Sequence, residues 1–407
     1  KTMALKNKTL ERSDNDHFIK RSFRSYLLPS ILSILGGNIS ILVDNCVAGA
    51  ALGEQELAAM GIVNPIFNTI TAFGLLICGG ASVLASISIG QGENEKKKHY
   101  FTLALYMLIT AAAILTLLGN VFIDPIVRAL GASGELVPLA KDYTRVLFFS
   151  SIAIMSVYFP LNFLRIEGKA RVSMIMFFIM AGLDIAFDLV FVLVFPWGMM
   201  GLALATGLSS LLAVLWAMPS LFSSENGYSL VKLKDVLPDV KKIIVTGSPL
   251  ALSNVYCIAR VRIFNALLIS CGGSLALAAY SCANSVNNLG MAVVSGVAQT
   301  VGPIVGVLYG ERDKNGIKRT VSRAIKVGSI VTVSMWLLSA VFSRQLAMLF
   351  GMTSPVQNET AALAIAILNF NLIGTLVVNV FIYYYMTTER AGLSNLLTVL
   401  KGIVFNI

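Results

Sequence analysis

Stretches of about 20 apolar residues recur along this chain of 407 residues, and that recurrence dictates its class. Such a stretch crosses the roughly 30 Å hydrocarbon core of a bilayer as a helix, which satisfies every backbone N–H and C=O internally. Apolar windows lie near 26–50, 57–90, 100–123, 137–163, 171–196, 198–222, 243–269, 275–309, 320–343 and 358–386, and a last one begins near 393. Together they would occupy about two-thirds of the length if each crosses a bilayer. Charged residues are only 13% and hydrophobic residues 56%, whereas about one-quarter of a soluble domain is charged. An ordinary soluble protein is excluded, and the expected fold is all-α and polytopic.

The net charge of +10 would suggest nucleic acid in a soluble protein, but in a membrane protein the basic residues must first be placed against the bilayer. Most of them fall on alternate connections. Lys1, Lys6, Lys8, Arg12, Lys20, Arg21 and Arg24 precede the first span, and the run Lys96-Lys97-Lys98 follows the second. Arg165, Lys169 and Arg171, then Lys232, Lys234, Lys241 and Lys242, and then a group from Arg312 to Lys326 continue the pattern, with Arg390 at its end. The positive-inside rule therefore places the N-terminus in the cytoplasm and predicts no nucleic-acid partner. Residues 1–24 are polar and charged, unlike a signal peptide.

Several chemistries lack their residues. The one Gly-Lys pair, Gly168-Lys169, is followed by Ala170, so no phosphate-binding loop is present and work must draw on gradients. Both histidines, His17 and His99, lie outside the apolar windows, and the five cysteines (Cys46, Cys78, Cys257, Cys271, Cys282) form no C-x-x-C. No histidine relay, zinc site or disulfide framework is expected, and no nucleophile–base pair marks an intramembrane enzyme.

Sliding the chain on itself by 220 residues exposes a repeat. Pro29 falls on Pro249, Leu32-Ser33 on Leu252-Ser253, Gly53 on Gly273, and Leu57-Ala58-Ala59 on Leu277-Ala278-Ala279. Asn64 and Asn68 meet Asn284 and Asn288, Gly131 meets Gly351, and Ser82, Ser86 and Gly90 meet Gly302, Gly306 and Gly310. Six spans separate the copies, an even number, so both halves share one orientation about an axis along the membrane normal. The expected division is an N-terminal lobe over 1–222, a polar linker over 223–242 carrying a short amphipathic surface helix, and a C-terminal lobe over 243–407. The second half holds four full spans and part of a fifth, because residues 393–407 reach only about 22 Å as a helix. The natural chain is therefore expected to continue, with twelve spans in all and about eleven present.

Acids within spans are costly and default to functional hypotheses. Asp44 sits in span one and Asp184 and Asp188 in span five, four apart and so on one helix face. Neighbouring carboxylates in low dielectric need a proton or a cation between them, and Asp184 is the best candidate for a hydrogen-bonded structural role. In span seven, Arg260 and Arg262 are about 200° apart around the helix and cannot both line one cavity. Asn38, Asn64, Asn68, Asn162, Asn284, Asn288, Asn369, Asn371 and Asn379 also lie in spans, either as interhelical glue or, for the repeat-matched pairs, as the walls of one cavity.

The segment Val43-Asp44-Asn45-Cys46-Val47-Ala48-Gly49, followed by Leu52-Gly53 and Leu57-Ala58-Ala59, resembles the first-helix signature of the multidrug and toxic compound extrusion (MATE) family. Asp184-x-x-x-Asp188 and the run Gly201 to Thr206 are similar to its helices five and six, in the branch related to DNA-damage-inducible transporters. The resemblance implies a V-shaped, alternating-access transporter of two six-helix lobes, without an organic cofactor. It implies that Asp44 and Asp188 bind the coupling proton or sodium, that Thr206 and the residue at 184 complete the site, and that Pro29 is a hinge. The family has Asn where this chain has Asp184. The expected activity is efflux of amphipathic, often cationic organic compounds across the inner membrane by a monomer, in exchange for H+ or Na+. A substrate cavity would include Asn38, Asn64, Asn68, Asn162, Asn284, Asn288, Asn371 and Arg260. The rival is a lipid-linked saccharide flippase of the same superfamily, which a basic cavity at Arg260 or Arg262 would favour.

Overall fold

A computed structural model describes the backbone of every residue except 1, 48–50, 196, 224–226, 233–235, 350–351, 353 and 405–407; the side chains of residues 2–18, 42, 45–46, 54, 57, 255, 257–278 and 403–404 also lie outside the described set. The described chain is helical and connected by short turns. In order the helices are α1 (Thr2–Val47), α2 (Glu54–Gly74), α3 (Gly80–Gly90), α4 (Asn94–Val121), α5 (Ile123–Ala129), α6 (Leu136–Phe149), α7 (Ser151–Ser156) and α8 (Tyr158–Ile166). There follow α9 (Ala170–Leu189), α10 (Gly198–Leu221), α11 (Val236–Gly310), α12 (Lys314–Val341), α13 (Ser343–Leu349), α14 (Pro355–Thr387) and α15 (Ala391–Val404).

Among the described residues, 7 helical stretches are long and apolar enough to cross a membrane, and they coincide with apolar windows of the sequence. An eighth comes from the window at 137–163, which is not one straight helix. Its parts, Leu136–Phe149 and Ser151–Ile166, are bent by 52°. The bend is supported from α4, whose Thr116 hydroxyl donates to the Phe148 carbonyl at 2.7 Å and lies 3.0 Å from the Ser151 hydroxyl. A side chain thus meets backbone groups that a bent helix would otherwise leave unpaired in hydrocarbon. Gly207 of α10 sits directly against the Ser150 side chain at this corner, where a Cβ would collide with it.

Two departures from the sequence reading stand out. The windows at 243–269 and 275–309 are joined by helical backbone, because α11 runs from Val236 to Gly310 without the expected break at 270–274. That stretch has no proline, and its Gly272-Gly273 pair costs helix stability without forbidding helix. Among the described linker residues, 227–232 are irregular where a surface helix was expected, Gly227 turns the chain at φ +61°, and residues 236–242 are the start of α11. Tyr228 is instead buried, stacked on Phe101 at 4.3 Å and under the Lys97 ammonium at 4.5 Å. The Val231 amide donates to the Thr102 hydroxyl at 3.2 Å. Burial of one aromatic ring outweighs weak local helix propensity in this Gly- and Ser-containing segment.

The chain forms two compact units, residues 35–254 and residues 1–34 with 255–407. Their borders fall inside α1 and α11, not in the linker, and lie 220 residues apart, the same shift that aligns the sequence on itself. Within the unit 35–254, the start of α11 lies so close to α3 and to the π-helical turn Leu75–Gly79 before it that a Cβ on Gly247 would strike the Leu76 carbonyl and one on Gly80 the Ile243 carbonyl. Within the other unit, a Cβ on Gly296 would lie 2.6 Å from Ile31 Cγ1 and 2.8 Å from its Cα. Leu76 and Gly296 are themselves 220 apart, so the crossing recurs with the repeat. Glycine permits this backbone approach where apolar attraction between helices gives no advantage over lipid.

The two interiors differ. The unit 35–254 is built on an aromatic core of Phe101, Phe159, Phe163 and Tyr228, all buried. In the other unit, amides tie helices together: Asn287 of α11 donates to Asn369 Oδ1 of α14 at 3.2 Å, and Trp336 Nε1 of α12 donates to the Ala366 carbonyl of α14 at 3.0 Å.

Candidate functional site

The site lies in the unit 35–254 and draws on three helices. Near the end of α1, Ser40 and Asp44 are one turn apart and share a face. On α9, Asp184 and Asp188 repeat that spacing shortly before the helix widens into a π-helical turn at Val190–Val194. Such turns often occur at functional sites. The third helix, α10, presents Ser209.

Asp44, Asp184 and Asp188 each offer a carboxylate oxygen, and these oxygens lie within 4.8 Å of one another. Among the described residues this is the one such cluster of acidic, histidine or cysteine side chains. Asp184 is 3% exposed and Asp188 0%, while Asp44 is half-buried. Two hydroxyls serve Asp184: Ser40 Oγ donates to Oδ2 at 2.7 Å and Ser209 Oγ donates to Oδ1 at 3.0 Å. By contrast, both oxygens of Asp188 and Oδ1 of Asp44 are buried with no donor among the described residues. The Asp44 and Asp188 carboxylates are within hydrogen-bonding reach of one another. Tyr143 of α6, also buried, lies within electrostatic reach of all three acids.

This arrangement has a definite chemical capacity. Carboxylates without donors in a low-dielectric interior must acquire positive charge, either as a proton shared between them or as a bound cation. The division of labour is legible in the contacts: Asp184 is held by the protein, and Asp44 with Asp188 is left for something else.

The other sequence candidates are placed as follows. The Thr206 hydroxyl donates to the Leu202 carbonyl of its own helix at 3.2 Å, and it is Ser209, three residues on, that reaches Asp184. Pro29 is buried inside α1, where helix continues through it, five residues before the border at 34 and 35. Asn68 donates to both the side chain and the carbonyl of Asn64 within α2, and Asn162 donates to the Tyr158 carbonyl at 2.8 Å within α8. Asn371 accepts from Thr375 at 3.2 Å. Asn38 and Asn284 are half-buried and Asn288 is exposed. The side chains of Arg260 and Arg262 lie outside the described residues. Ser40, Ser209 and Tyr143 were not among the sequence candidates. For Ser40 the signal was available, since it precedes Asp44 by one helical turn; for Ser209 and Tyr143 only tertiary proximity reveals the role.

The MatE family model matches residues 29–190 and 249–407, segments whose starts are again 220 apart. The multidrug export protein MepA of Staphylococcus aureus (strain NCTC 8325 / PS 47) is 25% identical over 322 residues, covering 78% of this chain and 69% of that protein. The probable multidrug resistance protein YoeA of Bacillus subtilis (strain 168) is 26% identical over 348 residues, covering 81% of this chain and 73% of that protein. A solved structure described as the outward-facing conformation of a multidrug resistance MATE family transporter of the MOP superfamily has the same fold, with a TM-score of 0.89 at 24% identity over 95% of this chain and 86% of that one. Matched over most of its length in both halves of the repeat, the chain belongs to the MatE family.

Proposed function

We propose that this protein is a secondary antiporter that exports amphipathic, often cationic organic compounds while protons or sodium ions enter. The observation that carries the reading is the trio Asp44, Asp184 and Asp188, in which both oxygens of Asp188 and Oδ1 of Asp44 are buried without a donor among the described residues. Those two acids hold the coupling ion, and Asp184, fixed by Ser40 and Ser209, shapes the site. Thr206 belongs to the α10 wall beside it. An ion with equal affinity for two conformations shifts neither, so loading must favour one lobe arrangement over the other.

The lobes that exchange access are the six-span halves joined by the linker at 223–242, with Pro29 as the hinge in α1, and the working unit is a monomer in the inner membrane with its N-terminus in the cytoplasm. Asn38, Asn64, Asn68, Asn162, Asn284, Asn288, Asn371 and Arg260 remain the proposed lining of the substrate cavity. The family relationship supports a transporter in place of an enzyme, as do the export and resistance names of the relatives.

The test is efflux of a fluorescent cation from proteoliposomes under imposed proton or sodium gradients. Wild type should respond to one gradient, and Asp44→Asn and Asp188→Asn should each reduce the response to background. Efflux that survives both substitutions would remove the ion site from these residues. Absence of efflux with either gradient, together with scrambling of a lipid-linked saccharide, would favour the flippase.

A further inference from the structure

The family pattern has an amide at position 184, and this chain has a third carboxylate. Its surroundings are unlike those of the other two. Two hydroxyl donors, from Ser40 and Ser209, occupy the two oxygens of Asp184, so the protein supplies the hydrogen bonds that a carboxylate needs when it leaves water. Asp188, fully buried, has neither oxygen satisfied, and Asp44 lacks a donor at Oδ1. An isolated pair of facing carboxylates can rest with one positive charge between them, as two acids sharing one proton do. With Asp184 beside the pair, that arrangement would leave a net charge of minus two within a cluster whose oxygens span less than 4.8 Å. Such a charge is strongly disfavoured away from water, and the bare oxygens of Asp188 and Asp44 are the places left to receive a second cation.

We infer that Asp184 sets the ion stoichiometry of the site at two monovalent cations per cycle, one more than Asp44 and Asp188 would load by themselves. Asp184 is here a positioning residue: it acts through its charge on its neighbours and leaves the ion to them. The inference rests on the antiporter reading and adds a number to it. Charge balance follows directly. Two monovalent cations entering for one monocation leaving move one net positive charge inward per cycle, so the exchange is electrogenic; with a neutral residue at 184, one enters for one and the exchange is electroneutral.

The experiment uses the full chain in proteoliposomes with the fluorescent dye ethidium as the transported monocation and the membrane potential clamped at zero. The quantity read is the dye gradient at which net flux vanishes against an imposed tenfold gradient of the coupling ion. Wild type should hold about a hundredfold dye gradient and Asp184→Asn about tenfold, because each further ion multiplies the supported gradient by another factor of ten. Asp184→Thr, a second neutral residue, should match Asp184→Asn, which separates loss of charge from loss of fold. A wild-type gradient of only tenfold, or a hundredfold gradient that persists in both variants, overturns the inference while leaving an antiporter. A wild type that sustains no dye gradient with either ion overturns the antiporter reading, and the stoichiometry falls with it.

Discussion

The two compact units descend from one repeat, yet they differ where chemistry is concerned and agree where backbone geometry is concerned. In the unit 35–254, Gly92 turns the chain between α3 and α4 with φ +74°; in the other unit the position 220 residues on is Arg312, which adopts φ +60° at the corresponding turn between α11 and α12. The turn has been kept although an arginine pays backbone strain for it. Lys97, buried against Glu167 at 3.0 Å, corresponds to Ile317, which is also buried but has no charge to pair. Two acids of the proposed ion site have no acidic counterpart: by the same shift Asp44 meets Phe264 and Asp184 meets Val404. Steric constraints that close a turn or let helices cross act equally on both copies, whereas a costly buried charge persists only in the copy that uses it.

The largest expected effect breaks this comparison at the acids. Asp188→Asn should reduce gradient-driven efflux to background, whereas Asn287→Leu, at an amide pair of the other unit, should leave the ion dependence intact. Equal losses in both would show that chemistry is shared between the units.

The buried ion pair is the next lever. Lys97→Ile removes one partner and strands Glu167, at a cost of about 3–5 kcal/mol in thermal or denaturant unfolding. Changing both, Lys97→Ile with Glu167→Leu, replaces the pair with apolar side chains and should recover most of that loss. A double variant as unstable as the single one would mean that the pair does more than cancel charge.

Close crossings come third. Gly247→Ala and Gly296→Ala should each destabilise by about 1–3 kcal/mol through overpacking, since the obstacles are largely backbone atoms of Leu76 and Ile31. Similar losses at both sites would sharpen the equivalence of the crossings, and a harmless Gly296→Ala would break it.

Smaller still, Arg312→Gly should stabilise by about 1 kcal/mol by relieving the left-handed backbone, and Gly92→Ala should cost about the same. At the bottom of the scale, Asn287→Leu should cost about 0.6 kcal/mol, the usual worth of an interhelical amide bond in a membrane. A loss several times larger would mean that Asn369 Oδ1, in a side chain only 1% exposed, is stranded without its donor.

Much of the molecule was legible in the sequence because membrane physics is one-dimensional to a useful degree. A span needs a long apolar run, so the helices of TM-crossing length appeared as windows, and the three deep acids stood out against them. The 220-residue repeat likewise reappears as the spacing of the unit borders and of the matched segments. Other features were hidden. The bend between Phe149 and Ser151 depends on a hydroxyl from α4, and the burial of Tyr228 depends on a cavity beneath Lys97 and beside Phe101, neither of which is encoded near the residue it affects. The asparagines could be read as cavity walls or as interhelical glue, and no local pattern foretold that Asn68 and Asn162 donate within their own helices.

The amino-acid sequence by itself determined that the chain is a helical, twice-repeated membrane protein with its buried acids in one copy, because the cost of transferring charge and unpaired backbone into hydrocarbon is set by residue type and run length. Only the tertiary structure decided which acid is held and which are free to bind. That depends on Ser40 and Ser209 meeting Asp184 across 144 and 25 residues of chain, and hydrogen bonds over such separations are fixed by helix packing, not by any local pattern.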